Sequence, residues 1–169
     1  MEAMHCLYTR RSIRTFRPEP VPPALLEELA KAAMYAPSAG NQQPWHFILL
    51  DDRRLLDEIP KFHPYALMLR EAPAAIVVCG QPHASKFKDL WVQDCSAATQ
   101  NLLLAAHAQG LGGVWLGLYP DEERVDRVRD LLKIPYDTLA FSLVALGHPA
   151  MTPKPPERFV PEKIHRNGW

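Results

Sequence analysis

The sequence predicts an α/β-type fold: a few-stranded sheet with helices packed on it and an extended tail. Three observations predict it. Short apolar runs alternate loosely with segments of helical periodicity. One run, Ala74-Ala75-Ile76-Val77-Val78-Cys79, has no polar member, the pattern of a strand buried on both faces. From Pro149 onward periodicity fades and prolines accumulate, so no helix is expected there. A chain of 169 residues can build one well-packed core, no repeat is visible, and one domain is expected over residues 1–169.

The elements follow in order. Pro18-Glu19-Pro20-Val21-Pro22-Pro23 is a stiff lead into a helix, because proline at the first helical position lacks only an N–H that would have had no partner. Leu25, Leu26, Leu29, Ala32 and Ala33 then form an apolar stripe, which should stop near Ala36 because Pro37 disfavours helical geometry before it. A polar loop over 38–44 precedes a strand over 45–50. Short helices are expected around Arg53 to Ile59 and Tyr65 to Glu71, then the buried strand. Leu90 to Gln109 reads as a long helix ended by Gly110, and Val114 to Leu118 as a third strand. A charged amphipathic helix over Asp121 to Leu132 and a strand over Ala140 to Gly147 complete the fold. The tail needs a groove to lie in; clasping a second subunit and fraying are both compatible with its composition.

Charge and composition exclude several classes. Lys and Arg number 19, matched by 19 Asp and Glu, which weighs against a general nucleic-acid binder with its broad basic face. No apolar run approaches the ~20 residues that span a bilayer, and the first residues lack the pattern of a signal peptide. Cys6, Cys79 and Cys95 are widely spaced, as expected of reduced thiols in a cytoplasmic protein. The seven histidines form no H-x-x-x-H pair, so no metal site is expected. Ser12, Ser38, Ser85, Ser96 and Ser142 lie in no G-x-S-x-G context, which leaves acyl transfer unsupported. Asp94, a single carboxylate on an apolar helix, is read as structural, capping or pairing an arginine.

Three segments carry chemistry. Arg10-Arg11-Ser12-Ile13-Arg14-Thr15-Phe16 concentrates three guanidinium groups beside a hydroxyl, a set suited to phosphate. The competing reading is a solvated basic stretch after a short helix. Ala36-Pro37-Ser38-Ala39-Gly40-Asn41-Gln42-Gln43-Pro44-Trp45 mixes small residues with directional donors, which lets a flat ligand approach the backbone. Ordinary turn chemistry would also account for it. Gly110-Leu111-Gly112-Gly113-Val114-Trp115-Leu116-Gly117 fits neither a dinucleotide fingerprint nor a P-loop. Its first glycine is a helix stop. Gly117, inside a strand, marks a place where a ligand or backbone comes close.

These segments, in this order and together with Trp91-Val92-Gln93-Asp94-Cys95-Ser96, resemble the flavin-dependent nitroreductase family. The resemblance implies an α+β domain with a few-stranded mixed sheet flanked by helices. It also implies a homodimer holding FMN at the subunit interface, with the tail reaching the partner. Arg10 and Ser12 would hold the phosphate and ribityl chain, with Arg11 alongside and Arg158 of the tail as a further phosphate ligand. Arg14 would lie near the pyrimidine edge of the flavin. Pro37, Ser38, Ala39 and Asn41 would come from the opposite subunit, and Trp115, Leu116 and Gly117 would present backbone near flavin N5. The implied activity is hydride transfer from NADH or NADPH to a flat electron-poor acceptor such as a nitroaromatic or quinone, with the chemistry on the flavin. Another acceptor (an enone, a halogenated aromatic, free flavin) and a non-enzymatic flavin carrier remain open. One departure stands out: His63 to Leu69 lacks the amide and basic side chains that larger members place against the flavin.

Overall fold

Four strands form the sheet: β1 (Trp45–Leu50), β2 (Ala74–Gly80), β3 (Gly112–Gly117) and β4 (Leu139–Gly147), in the spatial order β1-β2-β4-β3. The computed structural model describes residues 1–84 and 86–169, so Ser85 lies outside the described residues. Five helices accompany the strands: α1 (Ala3–Thr9), α2 (Pro23–Met34), α3 (Arg53–Glu58), α4 (Trp91–Ala108) and α5 (Glu122–Leu132).

Every pair of neighbouring strands is antiparallel, which corrects the mixed sheet expected above. The cause lies in α4. This helix, about 27 Å long at 1.5 Å per residue, carries the chain back across the sheet, so β2 and β3 run the same way. They never pair, because β4 inserts between them in the opposite sense. Among the described residues the single parallel contact is a bridge between Ser12 and Gly113 at the sheet edge.

The sheet separates two cores. Ala74, Ile76 and Val78 of β2 face Leu26 and Leu29 of α2 and Cys95, Ala98 and Leu102 of α4. Ala75, Val77 and Cys79 face the other way, onto Leu56, Ile59, Leu69 and Val128. The unbroken apolar run therefore has its expected cause: β2 is buried on both faces. Opposite the Val78/Cys79 step, β4 carries one extra residue, Phe141. This bulge places Phe141 and Ser142 together on the α4 side, where Ser142 Oγ lies 2.9 Å from the buried Thr99 Oγ1.

Helix ends follow local rules. Pro23 opens α2, while Asp52 and Asp121 cap α3 and α5 by accepting the N–H groups of Arg54 and Arg124. Gly110 stops α4 with φ of 77°; its N–H donates to His107 O and that of Leu111 to Ala106 O. The expected helix over 65–71 is instead a 3-10 turn at Leu67–Arg70. Cys6, Cys79 and Cys95 are free and buried, and burial pushes the Cys79 and Cys95 thiols up to about 12. Beyond Ala150 the tail is almost wholly exposed, including Phe159, Ile164 and Trp169. No described helix is long and apolar enough to cross a membrane.

Candidate active site

The arginine segment is stitched across one end of the sheet. Ile13 N–H donates to Gly113 O at 3.0 Å, Arg17 N–H to His148 O at 2.9 Å, and Ala150 N–H to Thr15 O at 3.1 Å. Ile13 and Phe16 are buried as anchors, which leaves Ser12, Arg14 and Thr15 exposed between them. The close approach requires glycine on the strand, since a Cβ at Gly112 would stand 2.7 Å from Ile13 Cβ.

The first two arginines diverge from the third. Arg10 caps α1, and its pKa is lowered by burial first, then by the positive charges of Arg11 and Arg158. It stays charged, but crowded by like charge: Arg10, Arg11 and Arg158 form a cluster suited to an anion. Arg11 turns back toward α1, with Nη2 donating to Tyr8 O. Its buried Nε has no hydrogen-bond partner among the described residues. It lines a small pocket with Thr9, His107 and Leu111, away from Arg14.

Arg14 faces a cavity of about 490 Å³ that it shares with His63, Tyr65, Met68, Trp115, Leu116, Gly117 and Arg124. That volume suits a small-molecule ligand. Because β3 is an edge strand and Gly113 O points outward to Ile13, period-two geometry also points the N–H groups of Trp115 and Gly117 away from the sheet. Leu116 packs into the core, while Trp115 turns its ring to the other face, 5.7 Å edge-on to Phe141. Trp115 thus offers the cavity main chain rather than indole. Gly117 meets nothing within 4 Å of its notional Cβ, so internal packing does not require glycine there. A flat ligand laid against the open strand edge would.

His63 had no functional signal in the sequence beyond its place at the head of the 63–69 stretch. The structure makes it a cavity wall: 1% exposed, with Nε2 3.0 Å from Gly117 O and Nδ1 accepting Tyr65 N–H at 3.3 Å. Those partners select the neutral tautomer with hydrogen on Nε2. Burial lowers its pKa, opposed by the Gly117 bond and reinforced by Arg124. With the folded pKa below the unfolded value, the unfolded chain binds more protons in the window between them. Its contribution to stability is therefore complete above the unfolded value of about 6.5 and lost as pH falls below it. Thermal unfolding at pH 7.5 and 5.5 should show a smaller acid-induced loss in His63→Gln than in the native chain. An equal loss would remove His63 as the cause.

The loop after α2 is shaped by its own side chains. Gly40, Asn41 and Gln43 take left-handed φ of 58°, 56° and 49°. Gln43 N–H donates to Ser38 Oγ and its amide to Asn41 Oδ1, both at 3.0 Å. Asp94, 5% exposed, accepts Ala39 N–H at 3.0 Å, which corrects the expectation of a cap or an arginine partner. Its other oxygen has no partner among the described residues.

Within one chain the predicted residues do not all converge. Arg14, Trp115, Leu116 and Gly117 line one cavity, and Arg10 and Arg158 share a field. Pro37, Ser38, Ala39 and Asn41 precede β1 on the far edge of the sheet, three strand spacings of ~4.8 Å from β3. None of the four lines that cavity within one chain. Arg124, which reaches the cavity from α5, had no signal in the sequence at all.

Comparison with known proteins identifies the family and the fold. A family model described as the Nitroreductase family matches residues 7–67 and 61–148. A protein of Archaeoglobus fulgidus, provisionally assigned as NADH dehydrogenase/NAD(P)H nitroreductase, is 49% identical over 99% of this chain and 99% of its own. A Parabacteroides distasonis crystal structure with the same assignment superposes with TM-score 0.94 at 38% identity, covering 99% of this chain and 98% of that one. A Desulfovibrio desulfuricans structure, assigned as a nitroreductase in complex with FMN, superposes with TM-score 0.85 at 30% identity over 100% and 98% of the two chains.

Proposed function

The chain belongs to the nitroreductase family, and from that premise we propose that it is an FMN-dependent NAD(P)H oxidoreductase working as a homodimer. The observation that carries the reading is the single cavity in which Arg14 meets the open edge of β3 at Gly117. The D. desulfuricans structure, which holds FMN, adds weight to the choice of cofactor. The exposed apolar side chains of the tail and the separation of the Ser38–Asn41 loop from the cavity support two chains per site. In this reading residues 1–169 act as one FMN-binding unit.

FMN, when bound, supplies a hydride acceptor at N5 and a donor to the second substrate. The chain's residues do the rest. Arg10, Ser12 and Arg158 would hold the phosphate and ribityl chain, which would relieve the like-charge crowding around Arg10. Arg14 would offer positive charge to the pyrimidine side of the ring. Trp115, Leu116 and Gly117 would present main chain to the ring, and His63 fixes Gly117 through its carbonyl. Pro37, Ser38, Ala39 and Asn41 of a second copy close the other side. Solvent can supply the proton, so no acid or base of the protein is required. Nicotinamide and acceptor use one site in turn, which gives ping-pong kinetics.

Protein incubated with FMN and desalted should be yellow. It should bleach anaerobically with NADH or NADPH and recover its colour on addition of a nitroaromatic or quinone. A protein that takes up no FMN would overturn the reading, and a bound flavin that no nicotinamide reduces would leave only a carrier.

A further inference from the structure

We propose that Arg124 and Tyr65 form a recognition site, at the mouth of the Arg14 cavity, for an anionic group carried by a substrate. The inference rests on the oxidoreductase reading above. The shared chemistry is a carboxylate or phosphate, from either the acceptor or the dinucleotide.

Arg124 is aimed by its own helix turn. Asp121 accepts Arg124 N–H through Oδ1 at 3.1 Å and pairs with Nε through Oδ2 at 3.2 Å, which pins the side-chain stem against α5. No other bond to the guanidinium exists among the described residues, so the two terminal nitrogens keep their donors. The guanidinium carbon lies 5.6 Å from the Tyr65 ring centroid. Tyr65 is 69% exposed, which sets this pair at the cavity rim, whereas buried His63 lies at its floor. A fixed fork over an aromatic plate suits a planar anion.

Charge points the same way. Arg14 and Arg124 line the cavity and no Asp or Glu does, while the pairing of His63 fits its neutral form. Asp121 offsets part of the Arg124 charge from outside the lining, and Arg14 keeps the cleft positive, which concentrates anions. The phosphate of the cofactor is not the anion in question, because its proposed ligands Arg10 and Arg158 are absent from this cavity lining. Arg124 also restores a basic side chain that the His63 to Leu69 stretch lacks, and does so from a different element.

Calorimetric titration of FMN-loaded protein with 4-nitrobenzoate and with neutral 4-nitrobenzamide tests the site. The native chain should bind the anion roughly tenfold more tightly than the amide at low salt. Arg124→Gln should abolish that ratio, Arg124→Lys should restore part of it, and Arg127→Gln, on the same helix but stacked on Phe62, should leave it unchanged. A second arm measures the NADPH/NADH affinity ratio. Loss of that ratio alone in Arg124→Gln assigns the site to the dinucleotide phosphate, and loss of the nitrobenzoate ratio alone assigns it to the acceptor. Both ratios unchanged in a folded, flavin-loaded Arg124→Gln protein would overturn the proposal. Failure of nicotinamide to bleach the flavin, with the anion ratio intact, would count against the oxidoreductase reading and not against the site.

Discussion

Gly117→Val is expected to leave the protein folded while lowering FMN affinity roughly ten- to hundredfold. The two effects separate because of where the new side chain goes. A Cβ at Gly117 meets nothing of the protein within 4 Å, and valine suits an extended backbone. The methyl groups would instead stand on the strand face that Trp115 occupies, crowding the exposed main chain against which the flavin is proposed to lie. Gly80 supplies the contrast: its Cβ would fall 2.4 Å from Trp91 Cε3, so Gly80→Val should damage the fold itself. Melting temperature and flavin occupancy, measured on both variants, distinguish the cases. Equal flavin affinity in Gly117→Val would move the ring away from β3. Any residual flavin in that variant should accept hydride about a hundredfold more slowly, since small misplacements of reacting atoms carry penalties of that order.

Arg10→Ala should move stability and ligand affinity in opposite directions. Arg10 is crowded by Arg11 and Arg158, so its removal relieves repulsion, and the flavin-free protein should melt no lower than the native chain. FMN binding should weaken roughly ten- to hundredfold, the usual scale for losing a charge-assisted contact to phosphate. Riboflavin, which lacks the phosphate, should bind native and variant proteins alike. A fall in riboflavin affinity equal to that of FMN would show that Arg10 acts on something other than phosphate. The FMN affinity of the native chain should also fall with salt more steeply than that of the variant.

Particular residues show what sequence could and could not carry. The stripe of α2, the buried run of β2 and the Gly110 stop were legible because each follows from periodicity or from one residue's backbone preference. Strand direction was not, since a run of apolar residues looks the same read either way and β4 enters between β2 and β3 from far along the chain. The 65–71 segment has helical composition but closes only a 3-10 turn, folded between His63 and the start of β2. Of the candidate site, the motif residues were legible by resemblance alone. His63, Asp94 and Arg124 act through partners 54, 55 and 59 residues away (Gly117, Ala39 and Tyr65), and no local pattern encodes such pairings.

The sheet that divides the two cores also divides the mutational consequences. Substitutions beneath α2 and α4 disturb the layer that carries the Ser38–Asn41 loop; those beneath α3 and α5 disturb the layer that carries the cavity walls. Residues in separate clusters with no shared partners combine additively. Substitutions can therefore re-tailor the rim around Tyr65 and Arg124 without disturbing the Ser38–Asn41 loop. A change to the cavity walls need not wait for a compensating change in the layer that holds the loop.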